Sequence, residues 1–215
     1  MPRNLGRRVS RAWGAAAVLA AALVGGGAAA GHAAASPAPS EAKQIDLSAA
    51  SLADLGQLES SLGRWDRAMV AVEEALLLDR QYGSPFAVAV GQSTLALSTL
   101  RAGRPREARD LVCDLFDYVA SSGNTAFFLN TLELAAVIAG ALDEIPLAAR
   151  LLGAAQTIRR ESGMQLTQPE AALLDELLAP ARASVTPQEW DTEEAAGRAL
   201  SQPEALTLLR SLSPA

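Results

Sequence analysis

The chain has 215 residues, half of them apolar and 4% aromatic, which suits one helical domain or one short repeat array. Its net charge is −6, but Arg3, Arg7, Arg8 and Arg11 face no acid within residues 1–40, so residues 41–215 hold fourteen bases against twenty-four acids, a net of −10; a body so acidic repels phosphate backbones, and direct nucleic-acid binding is not expected. One cysteine, Cys113, excludes an intramolecular disulfide, and the one histidine, His32, lies ahead of the expected folded part, so residues 46–212 can build no Ser-His-Asp triad, no Cys-His pair and no histidine-bearing metal site.

Residues 1–12 are basic, residues 14–30 are alanine, valine, leucine and glycine, and Ala33-Ala34-Ala35 places small residues ahead of Ser36. This is the three-part layout of a secretory signal peptide over residues 1–35. Residues 36–45, opening with Ser36-Pro37-Ala38-Pro39-Ser40, then read as a linker. A second reading stands beside it: Arg11 to Ala20 equally suits the helix of an eroded repeat. The first reading implies a secreted or cell-envelope protein, the second a cytoplasmic one. As a membrane anchor the stretch is weak, because Gly25-Gly26-Gly27 interrupt it.

From residue 46 a shift of 40 residues brings three segments into register, over residues 46–163. Ala68, Ala108 and Ala148 share one position. Gly56, Ala96 and Ala136 share another. Gly63, Gly103 and Asp143 fall together, as do Gly83, Gly123 and Gly163. Close approach of two helices needs short side chains at the crossing, which accounts for the first two sets. Helices that end in a left-handed turn favour glycine, which accounts for the others. The implied helices cover about 47–62, 65–81, 85–101, 105–121, 125–141 and 144–161, with Pro85 and Pro105 at helix starts. Leu52, Leu55, Leu58 and Leu62 keep helical spacing in the first. Met69, Val72, Leu76 and the Leu77-Leu78 pair serve the second.

Beyond Gly163 the repeat stops and helix starts continue through residues 164–215. Thr167-Gln-Pro-Glu170, Thr186-Pro-Gln-Glu189 and Ser201-Gln-Pro-Glu204 each have a hydroxyl followed three residues on by glutamate, the capping-box spacing, with proline inside. They predict helices near 168–182, 187–198 and 202–212. Such helices suit a cap over the last repeat's apolar face.

The series Leu52…Leu55-Gly56…Ala68…Val72…Ala75 resembles the tetratricopeptide repeat (TPR) pattern of large, leucine, small, then small, large, small. Leu95-Ala96…Ala108…Val112 and Leu132…Ala135-Ala136…Ala148…Leu152…Ala155 repeat it. The long period resembles the MalT-like subclass. Ala148-Ala149-Arg150-Leu151-Leu152-Gly153-Ala154-Ala155 is similar to a run near the C-terminus of LuxR- and SARP-type bacterial regulators, in which an NTPase precedes TPR repeats. Trp190, Glu194 to Leu200, and Pro203-Glu204-Ala205 are similar to their closing segment. The chain has no Gly-x-x-x-x-Gly-Lys-Ser/Thr phosphate loop and no helix-turn-helix is read in it, so neither ATPase nor DNA-binding activity carries over.

The expected fold is therefore all-α, an antiparallel helix-hairpin solenoid of three repeats of about 40 residues with a C-terminal helical cap. The expected function is binding of a protein or peptide partner, without catalysis, cofactor or metal; the alternative is the C-terminal sensor part of a LuxR/SARP-type regulator. TPR geometry implies a groove on the first helix of each hairpin, lined by Gln57, Ser93, Leu97, Asn130, Glu133 and Val137. Trp65 and Trp190 read as plugs between helices, and Cys113 as a small core hydrophobe. Asp191, Glu193 and Glu194 read as solvated helix surface.

Overall fold

A turn closed by a left-handed residue, then a helix opened by proline or a capped hydroxyl, is the local rule that recurs along the chain. The computed structural model describes residues 39–213. Its helices are α1 (Pro39–Ser61), α2 (Trp65–Tyr82), α3 (Pro85–Arg101), α4 (Pro105–Cys113), α5 (Phe116–Ser122), α6 (Thr125–Ala141), α7 (Ile145–Glu161), α8 (Gln168–Ala183), α9 (Pro187–Arg198) and α10 (Gln202–Arg210). No strand occurs among the described residues. The signal-or-repeat reading of residues 1–35 lies outside them.

The hairpins stack in a row. α1 packs on α2, α2 on α3, α3 on α4 and α6, and α6 on α7. α8 then packs on α6, extending the layer formed by the first helices of the hairpins. α9 lies against α7, and α10 reaches α7 and α5. The protein is an all-α solenoid of antiparallel hairpins closed at its C-terminal end by three further helices.

Small residues sit where the helices cross. Ala68, Ala108, Ala148, Ala96 and Ala136 are wholly buried. A Cβ on Gly56 would lie 2.6 Å from Val72 Cγ2 and 3.2 Å from the Ala68 carbonyl oxygen, so α1 and α2 meet at Gly56 and Ala68. The hairpin turns share one hydrogen-bond scheme. The amides of Arg64, Arg104 and Glu144 donate to the carbonyls of Glu59, Thr99 and Ala139, five residues back. That six-residue closure needs a positive φ one residue earlier, supplied by Gly63, Gly103 and Asp143 (φ 71, 80 and 66). Asp143 shows that an acidic side chain is tolerated there.

Gly83 departs from the expected left-handed turn. Its backbone is extended (φ −84, ψ 179), and glycine is needed for space instead: a Cβ would stand 2.7 Å from the Asp79 carbonyl oxygen. Three further expectations need correction. The helix expected over 105–121 is divided into α4 and α5 at Asp114–Leu115, where the Leu115 amide bonds Val112, three residues back, and tightens the turn. The chain is already helical at Pro39, inside the stretch read as linker. Of the leucines expected on the first helix, Leu52 is half-buried beside buried Ala49 and Gly56, while Leu55 and Leu58, and Leu62 in the turn just past α1, are exposed, as is Leu77 of α2.

All three capping boxes form. The backbone amides of Thr167, Thr186 and Ser201 donate to the carboxylates of Glu170, Glu189 and Glu204 at 2.6, 2.8 and 2.8 Å. They start α8, α9 and α10 where the spacing places them. One continuous core runs from α3 to α10, and a smaller cluster of Met69, Val72, Leu76 and Leu95 joins α2 to α3.

Candidate functional site

α3 buries Ala89, Gln92, Ala96 and Leu100 on one side and leaves a half-buried row of Phe86, Val90, Ser93, Thr94, Leu97 and Arg101 on the other. These six recur at helical spacing, so they share one face. On the adjacent α6, Ala126, Asn130 and Leu134 are likewise half-buried and spaced by four. Together the two rows form a strip on the layer of first helices, apolar for the most part and punctuated by Ser93, Thr94 and Asn130.

The two hydroxyls are turned inward. Ser93 Oγ donates to the Ala89 carbonyl and Thr94 Oγ1 to the Val90 carbonyl, both at 3.0 Å. Each therefore offers a ligand its lone pairs rather than its hydrogen. Phe86 seats its ring edge-on to Phe127 at 6.2 Å, and Phe127 meets Tyr118 in the same way at 5.3 Å, which anchors the N-terminal end of α3 to the core. At the other end Arg101 bonds Glu176 of α8 at 3.0 Å, with its guanidinium carbon 5.2 Å from the centre of the Trp65 ring. One side chain thus ties α2, α3 and α8 together and bounds the strip.

Of the residues expected to line a groove, Ser93, Leu97 and Asn130 share this strip. Glu133 and Val137 do not: they are 5% and 3% exposed. One Glu133 oxygen accepts from Arg159 Nε at 3.1 Å and Nη2 at 2.7 Å, across the α6–α7 contact. Burial pushes the Glu133 carboxyl above the usual carboxylate range; the attraction and hydrogen bonds of Arg159 oppose this, and the nearby Glu170 adds to it. At 5% exposure and bonded to Arg159 of the neighbouring helix, Glu133 belongs to an internal joint and not to a docking contact. Val137 is covered because α8 crosses the second half of α6, where a Cβ on Gly140 would lie 2.9 Å from Ala181 Cβ. Gln57 belongs to α1, and its side chain falls outside the described ones. Sequence reading missed Phe86, Val90, Arg101 and Leu134, although the spacing 86, 90, 93, 97, 101 was there to extend from Ser93.

At the C-terminal end α7 and α9 cross backbone to backbone. Gly153 and Gly197 face the opposite backbone: a Cβ at Gly153 would stand 3.0 Å from the Arg198 nitrogen, and one at Gly197 would stand 2.7 Å from both Arg150 Cα and its carbonyl carbon. Around this crossing Gln156 donates to Glu194 at 2.9 Å, Arg198 donates to Gln156 at 3.0 Å, and Thr157 donates to the Arg198 carbonyl at 3.0 Å. Arg198 also pairs with Glu194. Glu194 is therefore buried and consumed by packing, contrary to its reading as solvated surface; Glu193 is half-buried on Arg150, and Asp191 alone of the three is exposed. Trp190 is buried beneath Arg182, whose guanidinium carbon lies 5.2 Å from the ring centre.

A hollow of about 580 Å³ opens beside Trp190, Ile145 and Pro146, but the Glu189 carboxylate that lines it is engaged by the Thr186 cap. Trp65 is half-buried rather than sealed in. Cys113 is half-buried too, with the Ser213 hydroxyl 3.7 Å from its sulfur; burial raises its thiol, which disfavours the reactive thiolate. Among the described residues no cluster of histidine, cysteine, aspartate or glutamate could hold a metal, and no helix is long and apolar enough to cross a membrane. Comparison with protein-family models, with curated proteins and with solved structures returns no match.

Proposed function

We propose that this chain is a non-catalytic TPR-type module that holds a protein or peptide partner along the strip formed by α3 and α6. The observation that carries this reading is the strip itself. Val90, Leu97 and Leu134 supply apolar area, Ser93 and Thr94 supply acceptors, and Asn130 supplies an amide. Such a surface suits an extended peptide or an apolar helix face, with side-chain pockets giving affinity and a few polar groups giving register. The recurring small residues at the hairpin crossings support the TPR reading of the scaffold.

The test uses the full chain as bait and then measures direct binding of the captured partner by calorimetry. Leu97→Asp combined with Asn130→Ala changes the strip and leaves the buried Glu133–Arg159 joint intact. The expected outcome is at least about a tenfold loss of affinity with an unchanged circular dichroism spectrum. Undiminished binding by the folded double variant would refute the proposal.

A second reading, the C-terminal sensor part of a LuxR/SARP-type regulator lacking its ATPase and DNA-binding domains, draws on a different observation. The two stretches that resemble those regulators, Ala148 to Ala155 and Glu194 to Leu200, pack on each other through Gly153 and Gly197. An in-frame phosphate-loop sequence upstream of Met1 would favour it; a ribosome-binding site directly before Met1 would count against it.

A further inference from the structure

The large hydrophobic side chains left in the open are gathered in one place. Among the described residues they are Leu55, Leu58, Leu62, Val70, Leu77 and Tyr82, all of the first hairpin; residues 83–213 expose none. Leu55 and Leu58 of α1, with Leu62 in the turn just past it, keep the alternating three- and four-residue spacing of an apolar seam, and stand 45%, 56% and 55% exposed. α1 meets α2 at Gly56, with buried Ala49 and half-buried Leu52 on the same side, so the seam lies on a different side of the helix.

The repeat shows what that side is for. Forty residues on, the positions of Leu55 and Leu58 are Leu95 and Ser98 of α3; eighty residues on, they are Ala135 and Ile138 of α6. Leu95 and Ser98 are 7% and 4% exposed, and Ala135 and Ile138 are wholly buried. Leu95 joins Met69, Val72 and Leu76 of α2, the antiparallel helix before it. The seam on α1 is thus a seat for one more antiparallel helix.

Elimination says which helix fills it. A head-to-tail contact between copies needs a second apolar patch elsewhere on the chain, and residues 83–213 offer none. The surface that matches the seam is the seam itself. We propose that two copies of this chain join about a two-fold axis across the first hairpin, α1 antiparallel to its counterpart, with Leu55, Leu58 and Leu62 of each copy closing on those of the other. A two-fold perpendicular to α1 supplies the helix direction that the seat requires. The size agrees. α1 and α2 side by side present a face about 30 Å long and about 20 Å wide, roughly 600 Å² per copy, which is the lower bound for a stable interface. Charge limits the strength: each copy carries −6, so the contact forms against a repulsion that salt screens. The dimer is therefore reversible, and it stands independently of what the α3–α6 strip binds.

Sedimentation of the purified full chain across the micromolar range tests it. A monomer–dimer equilibrium is expected, tightening as sodium chloride is raised from about 0.05 to about 0.5 M. Leu55→Glu with Leu58→Glu changes two side chains that are exposed in the single copy. It should weaken dimerisation at least about a hundredfold with an unchanged circular dichroism spectrum. Hydrogen exchange on the wild-type chain needs no variant: amides of α1 should slow as protein concentration rises, while those of residues 85–213 keep their rates. A monomer at every concentration would overturn the proposal; α1 amides slow at every dilution would then assign the seam to cover from within the chain, and fast ones to a different protein. So would a dimer that survives both substitutions in a folded chain, which would place the contact elsewhere, or one that salt disperses, which would mark it as ion-paired.

Discussion

Replacing Gly153 by alanine puts a methyl group into the α7–α9 crossing, and the cost can be worked from the geometry. The added Cβ would fall 3.0 Å from both the Glu194 carbonyl carbon and the Arg198 nitrogen, with the Glu194 oxygen nearer still. Non-bonded carbons rest at about 3.5–4.0 Å, so the two backbones must part by roughly 1 Å. Neither side can yield locally, because the obstacle is main chain inside a helix. Overpacking of this kind costs about 2 kcal/mol. The bonds Gln156–Glu194, Arg198–Gln156 and Thr157–Arg198 stretch with it, at about 1 kcal/mol each. Helix propensity returns about 1 kcal/mol, since alanine replaces glycine. The net loss is about 4 kcal/mol, or a fall in Tm of about 10 °C for a chain of this size. Thermal and urea unfolding followed by circular dichroism measures the global effect. Fluorescence of Trp190, with Trp13 and Trp65 replaced by phenylalanine, reports whether α9 has lifted away. Gly91→Ala is the comparison: its Cβ would meet Leu76 Cδ2 at 2.7 Å and Cγ at 2.9 Å, a buried side chain rather than main chain, so its cost should be smaller than that of Gly153→Ala. A Gly153→Ala protein as stable as wild type would refute the reasoning, because propensity alone would then outweigh the crossing.

Two further outcomes follow from the charges. Arg159→Met should destabilise the protein by about 3 kcal/mol at neutral pH, because the Glu133 carboxylate is left buried without its partner. The folded-state pKa of Glu133 is raised already and rises further in the variant, so the missing stability should return as pH falls through that value; denaturant melts from pH 8 to 5 would show a gap to wild type that narrows with acid, and a constant gap would contradict the assignment. The Glu189 and Glu204 carboxylates are held below their ordinary range, Glu189 first by the backbone amide of Thr186 and Glu204 first by the Ser201 hydroxyl. Their contribution is present above the unfolded pKa and is lost as pH falls through the folded one, so Glu189→Gln with Glu204→Gln should flatten the acid limb of the stability profile.

The residues that were legible in the sequence are those whose role is fixed locally or by the repeat. Ala68, Ala108 and Ala148 announced the crossings, and the three hydroxyl–glutamate pairs announced α8, α9 and α10, because a cap is decided within four residues. What stayed hidden depends on which neighbour an apolar or charged face meets. Periodicity marked Leu55, Leu58 and Leu62 as one face of a helix, but it could not say that α1 turns Ala49 and Gly56 to α2 instead. Glu133 and Val137 have the right spacing for a groove, and only their neighbours in space remove them from it: Arg159 of α7 takes up Glu133, and Val137 is buried. Glu194 looks like any surface glutamate until Gln156 and Arg198 are brought beside it. Gly83 fell in register with left-handed glycines, yet it is required by the nearness of Asp79.

α10 doubles back to touch both α5 and α7, and Ser213 comes to rest beside Cys113, a hundred positions earlier. An ordinary row of hairpins can peel from either end, one unit at a time. Here the C-terminal end is latched across two hairpins, so α7 cannot loosen until α10 has let go. Among the described residues the first hairpin carries no such latch, and the small cluster around Met69 and Leu95 is the main apolar joint between it and the rest. Wear should therefore begin at α1 and α2, with proteases trimming the chain from that side while α6 to α10 stay whole.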